Sequence, residues 1–220
     1  MKSQLNLEGI VGNYAGLYEG TMLAYTQSFI YSMGIGNPYH NLRHGLHTMW
    51  ECYDGGTFHN LSPRELRNLL IAGLKHDENH SGKTVNDADE ITVAITTLRA
   101  TIQPEDADEL ENIESLIRAT QFPYVIPEED LTIGQQIIRD ADMSQNFSPV
   151  WVQQSWIGLS QEMGMVNPFK LLRMRPDFLK SIKFHSEWGK QKFEPRRLPA
   201  IKEAYGHIKM FIGEEEGTSD

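Results

Sequence analysis

Apolar residues in this sequence recur every three or four positions and nowhere alternate, a pattern that only helices can bury. Tyr14, Leu17, Tyr18, Met22, Tyr25, Phe29 and Met33 form one stripe, stopped by the breakers Gly34-Ile35-Gly36-Asn37-Pro38. A second helix is expected from Tyr39 to Tyr53, ended by Asp54-Gly55-Gly56. Ser62-Pro63-Arg64-Glu65 reads as a capping box with proline at N1. Behind it Leu66, Leu69, Leu70 and Leu74, widened by Ile71 and Ala72, predict a helix buried around much of its circumference. Further stripes start at Ile91, Leu110, Leu131, Trp151 and Phe178, the last of these taking in Ile182 and Phe184. Ile201, Ala204, Ile208 and Phe211 mark the final helix. With short connections and no strand pattern or repeat, the expectation is a single all-α domain, a helical bundle over residues 1–212. Residues 213–220, rich in glutamate, are expected to be a solvated acidic tail.

Charge and cysteine usage remove several functional classes. The 220 residues carry 30 acidic and 20 basic side chains, a net charge of −10, which repels a nucleic-acid polymer. The single cysteine, Cys52, rules out an internal disulfide framework and suits a reducing compartment. No apolar run approaches the roughly 20 residues that span a bilayer, and Met1-Lys2-Ser3-Gln4 opens no signal peptide. A cytoplasmic protein with no membrane partner is expected.

The histidines carry the chemistry. His40, His44 and His47 have the spacing of one helix face, and His76, Asp77 and His80 follow the most apolar helix. Five of the eight histidines therefore flank one buried element. Neutral imidazole and carboxylate are the ligands of zinc, iron, manganese and magnesium, and a carboxylate at the end of an apolar helix needs a cationic partner.

These residues also carry a family resemblance. Tyr39-His40-Asn41-Leu42-Arg43-His44 resembles the Y-H-N-x-x-H signature of class I cyclic nucleotide phosphodiesterases, and His76-Asp77-Glu78-Asn79-His80-Ser81-Gly82 resembles their H-D-x-x-H-x-G signature. Ile117-Arg118-Ala119-Thr120 is similar to the segment before their last metal ligand, and Ala141-Asp142-Met143-Ser144 to their A-D-L-S element. The match runs from Tyr39 to Ser144 and points to the HD-domain superfamily of metal-dependent phosphohydrolases. It implies an HD-type helical bundle. It implies two divalent ions: zinc, iron or manganese held tightly by His44, His76, Asp77 and Asp142, and a magnesium or manganese bridged through Asp77. His40 would be the general acid and His80 would lie in the surrounding hydrogen-bond network. The implied reaction is hydrolysis of a small phosphate ester, a phosphodiester of a (cyclic) nucleotide, with the attacking hydroxide drawn from water between the cations.

Departures limit the substrate. Where the family grips a purine with glutamine, Arg175-Pro176-Asp177-Phe178-Leu179 stands here, and Arg175 is open to a phosphate-binding or a surface role. Lys83 is expected in a solvated loop, Asp140 as a solvated or hydrogen-bonding neighbour of the metal ligands, and His47 in packing. Trp156, Phe178 and Trp188 are either core or a base-stacking wall. Two rival readings share the same site. One is a nucleoside monophosphate phosphomonoesterase. The other is a di-iron oxygenase, which the lack of any histidine between Ser81 and Asp142 disfavours.

Overall fold

The computed structural model describes residues 21–83 and 86–213. The described chain forms nine α-helices and no strand: α1 Thr21–Ile30, α2 Leu42–Phe58, α3 Pro63–Lys75, α4 Asp87–Thr101, α5 Leu110–Ala119, α6 Ile133–Met143, α7 Leu159–Glu162, α8 Phe169–Ser181 and α9 Glu187–Ile212. It is an all-α helical bundle. No helix among the described residues is long and apolar enough to cross a membrane.

The helix expected to be central is central. Ser62 accepts from Glu65 N–H and Glu65 answers to Ser62 N–H, closing the capping box at the start of α3. Leu69, Leu70, Ile71, Ala72 and Leu74 are wholly buried, and α3 packs against α1, α2, α5 and α6. Each such leucine or isoleucine contributes about 1.5–3 kcal/mol of apolar burial. A smaller core of Trp151, Trp156 and Leu172, joined by Ile208 and Ile212, seats α8 against the end of α9.

Glycines line the contact between α2 and α3. A Cβ on Gly45 would stand 2.7 Å from the Leu74 carbonyl oxygen, and one on Gly73 would stand 3.0 Å from Cys52 Sγ. Neither position has room for a side chain, so the two helices approach more closely there than side chains would allow.

Several element boundaries differ from expectation. The second helix starts at Leu42, because Asn41 caps it by accepting from the amides of Arg43 and His44, so His40 precedes the helix. It runs through Gly55-Gly56 to Phe58, since those glycines admit Ile137, Trp188 and Leu66 at contact distance. Of the first stripe, α1 covers Thr21–Ile30, Met33 begins a separate 3-10 turn, and Tyr14, Leu17 and Tyr18 lie outside the described residues, as does the tail from residue 214. The Trp151 stripe is a π-helix over Val152–Gly158 continuing into α7. Gly158 faces the Pro38 carbonyl there, where a Cβ would come within 2.5 Å. The Phe178 stripe ends with α8 at Ser181, leaving Ile182 and Phe184 in an extended link, and the last helix begins early, at Glu187.

Asp140 is not solvated. It is fully buried, and its carboxylate accepts from His185 N–H at 2.8 Å and from the amide and hydroxyl of Ser186 at 2.8 and 2.6 Å. Ser186 in turn caps α9, so one carboxylate ties α6 to the start of the longest helix. An asparagine here sets an N–H₂ against a donor. Asp140→Asn is expected to cost about 2 kcal/mol and to lower Tm by about 4–8 °C in thermal denaturation.

Candidate metal centre

Three elements deliver the four expected ligands. His44 stands in the first turn of α2, His76 caps the C-terminus of α3 with Asp77 just past it, and Asp142 lies in the last turn of α6. The loop after α3 is anchored so that these positions hold. Lys75 and Glu78, both buried, form an ion pair, and Lys75 also donates to Ser28 and Thr101. Asn79 turns the chain with a left-handed φ of 64°, accepts from Met33 N–H, and is followed by Gly82 at φ 67°.

The ligand atoms converge. His44 Nε2 lies 3.0 Å from Asp142 Oδ1 and 3.2 Å from Asp77 Oδ2, and His76 Nε2 lies 2.9 Å from Asp77 Oδ2 and 3.5 Å from Asp142 Oδ1. The two Nε2 atoms are 3.3 Å apart. Donors sharing one cation at about 2.0–2.2 Å stand about 3.0–3.5 Å from each other in tetrahedral or octahedral arrangement. His44, His76 and Asp77 are mutually close enough to hold one ion, and Asp142 meets that spacing with the two imidazoles. The far ring nitrogens agree. His76 Nδ1 donates to the Gly73 carbonyl at 2.9 Å and His44 Nδ1 to Gln145 Oε1 at 2.5 Å, which turns both Nε2 lone pairs toward the carboxylates.

The electrostatics are those of a cation site holding protons instead. Burial opposes charge on His44, but the hydrogen bonds and charges of Asp142 and Asp77 outweigh it and raise the imidazole to about 9. His76 is raised in the same way. Asp77 and Asp142 are driven down despite burial, by the imidazoles facing them. A divalent ion bound here would take the place of those protons, and its loading would release them.

His40 and His80 form a second group beside the first. Their rings stack with centroids 3.9 Å apart. His40 Nδ1 makes a short hydrogen bond to Glu162 Oε1, while Glu162 Oε2 accepts from the amides of Tyr39 and His40 at 2.9 and 3.0 Å. His80 Nδ1 accepts from Gly82 N–H at 3.0 Å and lies 3.5 Å from Glu162 Oε1. His40, His80 and Glu162 are close enough to one another to chelate. Both Nδ1 atoms are already engaged in hydrogen bonds. Burial, then the neighbouring His40, lowers the His80 pKa.

Sequence reasoning missed Glu162 and Gln145. Gln145 follows the Ala-Asp-Met-Ser element directly and could have been found there. Glu162 is 122 residues from His40, and nothing in its surroundings marks it. His47 sits in packing: Nε2 is 2.8 Å from Ser144 Oγ, and burial lowers its pKa to about 3. Lys83 is exposed, whereas Trp156 and Trp188 belong to the core. Arg175 is no surface residue. It is buried, stacks on Trp151 with its guanidinium carbon 3.6 Å from the ring centroid, and donates to the Asn146 carbonyl at 2.6 Å.

No protein-family model matches the chain, and no curated protein matches it significantly.

Proposed function

We propose that this chain is a metal-dependent phosphohydrolase of the HD type that cleaves a phosphodiester of a small nucleotide. One observation carries the reading: ligand atoms of His44, His76 and Asp77 lie 2.9–3.3 Å apart, Asp142 Oδ1 stands 3.0 and 3.5 Å from the same two imidazoles, and both imidazoles have their outer nitrogens tied off. Those four residues would hold the tight ion, with Asp77 shared toward a second. Bound cations supply an activated water and neutralise charge gathering on the phosphoryl oxygens.

The chain's own groups handle the leaving oxygen. With Nδ1 of His40 held by Glu162, Nε2 is the atom that gives a proton to the departing alkoxide. Glu162 is fixed by two backbone amides, so it orients the ring. His80 stacks beneath and keeps the imidazole from turning.

The direct test measures bound metal in the purified protein and turnover of bis(p-nitrophenyl) phosphate and p-nitrophenyl phosphate with Mn, Mg and Zn. Metal binding with diester turnover is expected. Turnover of the monoester alone would assign a phosphomonoesterase, and no metal with no turnover would overturn the proposal. A separate variant divides the roles of the two groups. Glu162→Gln is expected to lower kcat about 10–100-fold while metal content stays at the wild-type level, the scale of losing an orienting partner. Loss of metal in that variant would place His40 among the ligands.

A further inference from the structure

Two side chains with no place among the ligands, His47 and Arg175, converge on one turn. It is the 3-10 segment Ser144–Phe147, which follows α6 and begins two residues after the candidate ligand Asp142. The turn packs against α2, α6 and α9. Its first two residues are buried and reach one face of α2. Gln145 Oε1 accepts from His44 Nδ1 at 2.5 Å, and one helical turn further on His47 Nε2 lies 2.8 Å from Ser144 Oγ. Ser144 donates its hydroxyl proton to the Ala141 carbonyl, so toward His47 it accepts. Arg175 holds the turn from α8. It donates to the Asn146 carbonyl at 2.6 Å and lies flat against Trp151.

The Gln145 amide shows what this arrangement serves. Its Nε2 is buried without a hydrogen-bond partner. A buried N–H₂ left unmade lowers stability, and methionine would fill the same space without one. What the position uses is therefore the acceptor. An imidazole whose Nδ1 proton goes to a carbonyl keeps its lone pair on Nε2, and there His44 faces Asp142 Oδ1 and Asp77 Oδ2. Without the acceptor, the proton of a neutral His44 belongs on Nε2, between those carboxylates, and blocks the coordinating position. His76 takes the same help from Gly73, in its own helix. The partner of His44 comes instead from the stretch that carries Asp142, so its orientation depends on how α2 and α6 dock.

We propose that Gln145 is a positioning residue that sets how tightly the centre holds its ion, and that His47, through Ser144, and Arg175, through Asn146, keep it in register with His44. This rests on the metal-centre reading above. Gln145 stands three residues after Asp142 on one continuous stretch. Tying it to His44 Nδ1 therefore also holds Asp142 Oδ1 at its 3.0 Å from His44 Nε2. One side of the imidazole is fixed by the turn and the other is left for the cation. The assignment gives Arg175 a role that needs no contact with a phosphate, and it gives His47 a role that needs no contact with the metal.

Binding of Co²⁺ to the metal-stripped protein, followed by calorimetry and by visible absorption, tests this, with the Tm of each stripped variant measured alongside. Gln145→Met is expected to weaken Co²⁺ binding about 10–100-fold, while its Tm stays at or above the wild-type value because the orphaned N–H₂ goes with it. Gln145→Glu keeps an acceptor for Nδ1 and makes His44 the stronger base, so it is expected to bind Co²⁺ more tightly than wild type. Ser144→Ala, which releases His47, and Arg175→Lys, which loses the planar fork, are each expected to weaken binding severalfold. Unchanged affinity in Gln145→Met, or equal losses in the Met and Glu variants, overturns the assignment. Should Gln145→Met fail to fold, the Glu variant decides, and affinity equal to or below wild type overturns it. Unchanged affinity in Ser144→Ala or Arg175→Lys removes His47 or Arg175 from the assignment. A wild-type protein that binds no Co²⁺ overturns the metal-centre reading together with this one. If it binds and the Gln145 variants match it, this inference alone fails.

Discussion

Replacing Asp77 by asparagine is expected to remove bound metal and to lower diester turnover more than about a thousandfold, with helicity by circular dichroism unchanged. Oδ2 of Asp77 touches both imidazoles, 2.9 Å from His76 Nε2 and 3.2 Å from His44 Nε2, while Asp142 Oδ1 stands 3.5 and 3.0 Å from the same atoms. Asparagine keeps the volume and removes the charge that a divalent cation needs. The fold survives because the histidines adjust. With one carboxylate gone, His44 loses part of what raises its pKa and becomes neutral, so no unpaired charge is buried. Metal analysis and kcat/KM on bis(p-nitrophenyl) phosphate read the outcome. Retained metal with lost turnover would mean that Asp77 serves the reaction without holding the ion.

The second large effect is on stability, with consequences for the same centre. Gly45→Ala places a methyl 2.7 Å from the Leu74 carbonyl oxygen and 3.3 Å from the Phe29 ring. The nearer atom is backbone in the most buried helix and cannot swing away. The variant is expected to lose about 2–3 kcal/mol, a fall in Tm of about 4–12 °C. Because Gly45 follows His44 and Leu74 precedes His76 by two residues, pushing α2 from α3 also separates the two imidazoles, so metal affinity should fall with stability. Gly206 in α9 is the control: a Cβ there meets nothing within 4 Å. Gly206→Ala is expected to raise stability by up to about 1 kcal/mol through helix propensity alone. Denaturant melts of the two variants measure both signs, and equal effects would remove the steric account of Gly45.

Much of the architecture was legible in local pattern. The capping box and leucine stripe after Ser62 located α3 and its burial, because caps and amphipathic faces are short-range properties. Helix ends were less legible. Gly55-Gly56 looks like a stop, yet the helix continues, since Ile137, Trp188 and Leu66 fill the space a side chain would need. That reason exists only once α2, α3, α6 and α9 are packed.

The site divides along the same line. Residue type and spacing single out the His40/His44/His47 and His76/Asp77/His80 clusters, and the resemblance to the phosphodiesterase motifs adds Asp142 and the ligand assignment, because short motifs leave a local trace. Glu162 and Arg175 leave none. Glu162 reaches His40 across 122 residues, and Arg175 becomes a buried group stacked on Trp151 only when α8 docks. By itself the sequence determined the helical class and the clustering of the histidines, both functions of neighbours within a turn or two. Only the tertiary structure decided which acid orients His40 and where Arg175 is buried. Those depend on helices far apart in the chain meeting across a core whose close packing no local pattern encodes.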